Sequence, residues 1–174
     1  MVLDERMTPH AEVSEVWPRD GRIVIRGEIV AASATAKARW RLRLTSRERK
    51  RPPARVRALG KMRSLAEALS PAARPRGRFT VPVTLEGTKF EAVLPLEPLV
   101  PAKALPREHW DLHLVTSGER PLRLGRHLDD MPGKKRIVTF PRQTVDEPSR
   151  VSIRPYYTDG DNLSIRCLSR DGER

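Results

Sequence analysis

The chain has a single cysteine, Cys167, so it can form no disulfide within itself. That thiol lies in an apolar alternating stretch, LSIRC (163–167), and reads as a small core residue. A catalytic thiol would need a nearby histidine, and the sequence places none beside it. Long apolar runs are missing too. No stretch approaches the ~20 apolar residues of a membrane-spanning helix, and the opening MVLDERMTPH is too charged for a secretory signal. The expected location is the cytoplasm, out to the inner membrane surface. Aromatic residues make up only 5% of the chain, which weakens a nucleic-acid reading, because β surfaces that bind nucleic acid add exposed aromatics for base stacking. There is no G-x-S-x-G, no phosphate-binding Gly-rich loop and no dinucleotide fingerprint. The histidines at 10, 109, 113 and 127 lack metal-ligand spacing: His109 and His113 flank a strand rather than one helix face. The chain is therefore expected not to be an enzyme, with no catalytic residue, no cofactor and no metal site.

What the chain does have is proline and positive charge. Its 16 prolines suit many short strands joined by turns, and its 38% hydrophobic content is enough for one domain with a usable core. The net charge of +12 is unevenly placed. Between Lys37 and Arg63 stand twelve Lys/Arg against one acidic residue, Glu48, a net +11. Such an excess attracts polyanions, although a charge run is often only a solvated face.

Alternation of apolar and polar residues runs through most of the chain. EVWPRDGRIVIRGEI reads as a hairpin turning at Asp20-Gly21. In ARWRLRLTSR (38–47), Trp40, Leu42 and Leu44 face one way and Arg39, Arg41 and Arg43 the other, which in a strand gives an arginine ladder with rungs ~7 Å apart. RFTVPVTLEGTKFEAVLPL alternates again, and Pro82 marks an edge or bulge. HWDLHLVTSGERPLRLGR gives two more strands, RIVTFP another, and VSIRPYYTDGDNLSIRC a last hairpin. Nine or ten short strands at this spacing predict an all-β, antiparallel, immunoglobulin-like sandwich over 12–170. A flexible tail is expected at 1–11 and a flexible, partly disordered basic insertion at 46–77, in which the apolar stripe of MRSLAEALS (Met62, Leu65, Leu69) is too modest to call for more than a short helical turn.

Several phrases together point to a family: W-x-x-D-G-R-I-x-I-x-G (17–27), FEAVLPL (90–96), HWDLHL (109–114), LRLGRHLDD (122–130) and RPYYTDGDNLSIR (154–166). Their order resembles the β-sandwich accessory domains of actinobacterial glycosyltransferase and CDP-glycerol glycerophosphotransferase chains of the wall teichoic acid type. The resemblance covers most of the chain outside 1–11 and 46–77. It implies a module that lies beside catalytic domains and helps polymer recognition or assembly, with no catalytic residues of its own.

Asp159-Gly160-Asp161 matches the Asp-x-Asp element of glycosyltransferases, but in a hairpin tip it reads as turn chemistry. His127, Asp129 and Asp130 read as a solvated loop. Tyr156 and Tyr157 point to opposite faces; the exposed one suits a saccharide ring or a partner surface. The strongest feature is the basic set Arg39, Arg41, Arg43, Arg47, Arg49, Lys50 and Arg51, a candidate polyanion site. The leading reading is a non-catalytic module that presents a basic face to an anionic glycopolymer or a partner transferase. The alternatives are a homo-oligomer built through exposed edge strands and a nucleic-acid-binding protein.

Overall fold

The structure is a computed structural model of the 174-residue chain, and it describes residues 8–30, 32, 39–49, 77–100, 104–131 and 133–169. Ten strands run through these residues: β1 (His10–Arg19), β2 (Arg22–Val30), β3 (Arg41–Ser46), β4 (Arg78–Glu86), β5 (Lys89–Pro95), β6 (Arg107–Val115), β7 (Leu122–Gly125), β8 (Gln143–Val145), β9 (Val151–Tyr157) and β10 (Leu163–Ser169). Besides a 3-10 turn at Glu97–Leu99, a short α-helix, α1 (Lys134–Ile137), takes the first residues of RIVTFP, which alternation alone reads as a strand. β1 begins at His10, inside the stretch expected as a tail. Residues 1–7 and 50–76 lie outside the described residues, and with them MRSLAEALS, Lys50 and Arg51.

The predicted antiparallel sandwich is not what forms. β3 pairs with β6, and β1 pairs parallel with β7. These two pairings close β3-β4-β5-β2-β1-β7-β6 into a seven-stranded mixed barrel. Alternation has the same period in a sandwich and a barrel, so it cannot tell them apart. The difference lies in strands that change partner along their length. β4 gives Arg78–Pro82 to β3 and Val83–Glu86 to β5. The switch falls at Pro82, which has no N–H to give a ladder. β6 splits one edge between β10 (Arg107–Asp111) and β7 (His113, Leu114). Beyond the barrel, β10, β9 and β8 continue the sheet as an antiparallel extension.

The barrel is filled with side chains rather than open. Ile23, Ile25, Leu42, Leu44, Leu112, Leu114 and Leu124 are fully buried and belong to one core cluster, each contributing ~1.5–3 kcal/mol of burial. Under the extension the core continues through Trp110, Ile153, Ile165 and Tyr157, with Phe79 edge-on to Trp110 at 5.4 Å. Cys167 is buried in the same cluster, and burial pushes its thiol pKa up. A bulge at Ser14 bends β1 against β2. The partner there, Gly27, has no room for a side chain: a Cβ would meet the Glu12 carbonyl oxygen and the Phe90 ring.

Candidate polyanion-binding face

Strand register puts one continuous set of side chains on the outer face of β4, β3, β6, β10 and β9. Residues directly paired across strands share a face. One row runs Thr80, Arg43, His113, Arg123. The next runs Arg78, Thr45, Asp111, Ser164, Tyr156. A third runs His109, Arg166, Arg154, and a fourth Arg107, Leu168, Ser152, Thr144. Arg41 completes the set beside Pro82 and Val115. Seven arginines thus share these paired positions with one carboxylate, that of Asp111.

Asp111 is the electrostatic centre of the face. Its carboxylate accepts from Arg47 Nη2 at 2.6 Å, Arg123 Nη2 at 2.8 Å and Ser164 Oγ at 3.1 Å. Burial opposes its ionisation, but the Arg47 hydrogen bonds and the Arg123 and Arg47 charges outweigh that and hold its pKa below the usual range. Arg123 also donates to the Leu112 carbonyl at 2.7 Å, which fixes its fork in the sheet. Next to it, burial followed by the charges of Arg123 and Arg43 drives the His113 pKa down to about 4. The imidazole is therefore neutral at pH 7, and the charge of the face comes from arginine.

The structure sorts the residues singled out in the sequence. Arg39 is exposed just before β3, and Arg41 and Arg43 lie on the face. Arg41 Nε donates to Thr80 Oγ1 at 3.1 Å and stays exposed. Arg47 and Arg49 are committed to carboxylates: Arg47, itself exposed, to Asp111, and Arg49 Nε to Glu108 at 2.6 Å, where the Glu108 side chain is 2% exposed. They organise the face more than they charge it. Tyr156 sits half-buried on the face, its ring edge-on to His109 at 6.0 Å. Tyr157 is buried against Phe140, and burial raises its phenol pKa to about 12, so it offers nothing to a saccharide. The sequence reading missed Arg154 and Arg166. Their signal was present: a turn that sets Tyr157 opposite Leu163 also sets Arg154 opposite Arg166.

The two acidic motifs brace the end of the barrel. Asp129 Oδ1 accepts from Lys134 Nζ at 2.6 Å, and Asp161 lies 3.6 Å from the same nitrogen. Asp159 pairs with Lys135 at 2.8 Å. The Asp161 carbonyl accepts Arg126 N–H at 2.9 Å, and Asp161 itself adopts φ 54° in the turn. Burial disfavours a charged Lys134, but its hydrogen bond to Asp129 and the Asp161 charge prevail, and its pKa lies above the ordinary value. Among the described residues, no group of three or more His, Cys, Asp or Glu is placed to hold a metal.

A second surface lies on the barrel's other side. An open groove of about 560 Å³ runs over β1, β2, β5 and β4, lined by Glu12, Glu15, Glu28, Glu86 and Glu91 with Arg26 and Lys89. Arg26 bridges Glu91 at 2.5 Å and Glu15 at 3.1 Å. Hydrogen bonds from Trp17 and Arg26 keep the Glu15 pKa below the usual carboxylate range.

Among the described residues, no helix is long and apolar enough to cross a membrane. No family model matches the chain, and no curated protein matches it in sequence. Solved structures do resemble it in fold. A crystal structure of residues 217–571 of S. aureus TarS superimposes with TM-score 0.55 at 14% identity, covering 94% of this chain and 39% of that one. A longer S. aureus TarS structure gives TM-score 0.54 at 14% identity, covering 92% of this chain and 25% of that one. The chain thus has the fold of a part of TarS and spans well under half of its length.

Proposed function

We propose that this barrel is a non-catalytic binding module whose arginine face takes an anionic glycopolymer of the teichoic-acid type, or the acidic surface of a transferase that makes one. The carrying observation is the face itself: seven arginines in register on one sheet surface against a single carboxylate already shared by Arg47 and Arg123. Strand spacing sets successive outward residues ~7 Å apart, a spacing suited to repeated phosphates, and guanidinium forks match phosphate oxygens. The fold likeness to TarS, a wall teichoic acid glycosyltransferase, supports the choice of polymer. Half-buried Tyr156 beside this charge offers a ring edge to the sugar or polyol between phosphates.

The test is binding of the full chain to poly(ribitol phosphate) teichoic acid and to duplex DNA across a salt series. Polymer binding that exceeds DNA binding and falls at least tenfold in Arg41→Ala/Arg43→Ala supports the module. Equal, steeply salt-dependent binding to both reduces the face to a general polyanion patch.

Charge complementarity favours one second reading. The glutamate groove and the arginine face lie on different sides of one molecule, so a second copy could dock head to tail. This route uses sheet faces rather than edges, most of which the barrel closes. Mass that rises with concentration in the absence of polymer, and falls with salt, would support it.

A further inference from the structure

At the outer end of the arginine face, Arg154 of β9 and Arg166 of β10 are direct register partners. Direct partners on one face have Cβ atoms ~4.5–5.5 Å apart, and like charges so placed are destabilising. Neither arginine pairs with a carboxylate among the described residues, and both are half-buried. Further positive charge surrounds them. Burial first, and then the charges of Arg154, Arg107 and Arg142, push the Arg166 pKa below its ordinary value. A cleft of about 20 Å³ opens among Arg142, Ser152, Arg154, Arg166 and Leu168. That is room for one oxygen-sized group. Among the described residues its lining is Arg142, Ser152, Arg154, Arg166 and Leu168, with no carboxylate.

We propose that Arg154 and Arg166, with Ser152 beside them, form a discrete site for one phosphate-type oxyanion. A single phosphate oxygen enters the cleft, while the guanidinium forks of Arg154 and Arg166 hold the oxygens that remain outside. Planar forks suit this better than lysine, because each gives two parallel N–H donors. A shared anion also turns the repulsion between Arg154 and Arg166 into two attractions, which gives the opposed pair a reason to exist. The proposal rests on the polymer reading only for the source of the anion: there, the ligand would be one phosphodiester of the chain.

The experiment titrates the full chain with inorganic phosphate and with dimethyl phosphate, against chloride at equal ionic strength. Binding is followed by arginine Nε–H NMR signals and by the melting temperature. The expected result is a saturable phosphate response at Arg154 and Arg166, a rise in melting temperature, and at least tenfold weaker binding in Arg154→Gln and Arg166→Gln. Arg166→Lys keeps the charge and still loses several-fold. Without ligand, Arg166→Gln melts no lower than the parent, because a repulsion has been removed, so lost binding is not lost folding. A response unchanged in both Gln variants, or none in the parent, would overturn the site. Polymer binding that persists through Arg41 and Arg43 while phosphate gives no response sinks the site and leaves the polymer reading. Phosphate binding without polymer binding does the reverse, and a response to phosphate but not to dimethyl phosphate assigns the site to a free or terminal phosphate.

Discussion

The two outer faces of this barrel are built from the same alternation and carry opposite charge. On the β1-β2-β5-β4 face, carboxylates outnumber cations, and Arg26 is held between Glu15 and Glu91. On the β4-β3-β6-β10-β9 face, arginines outnumber carboxylates, and the one carboxylate in register is taken by Arg47 and Arg123. The first face meets much of its charge with internal pairs. The second leaves Arg154 and Arg166 opposed. The proposed binding face rests on that difference: an excess of charge that the paired positions of the sheet do not neutralise.

The most severe way to break the comparison is to remove the floor under both faces. Leu112 is fully buried between them, and Leu112→Ala should cost about 2–5 kcal/mol in chemical denaturation and lose both surfaces together. Asp111→Asn acts on the basic face alone. It should cost about 1–3 kcal/mol, because Arg47 and Arg123 lose a charged acceptor. It should also steepen the salt dependence of polymer binding by roughly 0.7–0.9 in log–log slope per freed arginine.

Acid separates the faces next. The His113 pKa is about 4 in the folded protein, against an ordinary value of 6.5. The unfolded chain therefore binds this proton first. The stability tied to neutral His113 is complete above about pH 6.5 and is lost as pH falls toward 4. Melting temperatures measured across that window should fall in the parent and fall less in His113→Gln. The smallest effect belongs to the acidic face: Glu91→Gln removes an exposed, solvent-screened pair and should leave both the melting temperature and polymer binding almost unchanged.

Much of this was legible in the residues. RIVIRGEI, RLRLTS and VSIRPYY alternate in the sequence as they do in burial, because a half-buried strand must separate apolar from polar at period two. The arginine ladder at 41 and 43 was visible for the same reason. Closure was not: the β3–β6 and β1–β7 pairings join segments far apart in the chain, and no local pattern encodes them. The commitment of Arg47 and Arg49 to Asp111 and Glu108 was hidden likewise, since their partners lie some sixty residues away. RIVTFP alternates, yet its start is helical, where Lys134 turns inward to Asp129.

The arginine face, and not the glutamate groove, is the proposed binding surface. The most direct measurement is an NMR titration of the full chain with poly(ribitol phosphate), following backbone and arginine Nε–H signals at physiological salt. Saturable shifts are expected at Arg41, Arg43, Tyr156, Arg154 and Arg166, with Glu15, Trp17 and Glu91 unmoved. Shifts centred on the glutamate groove, or none at polymer concentrations that saturate a general polyanion binder, would contradict it.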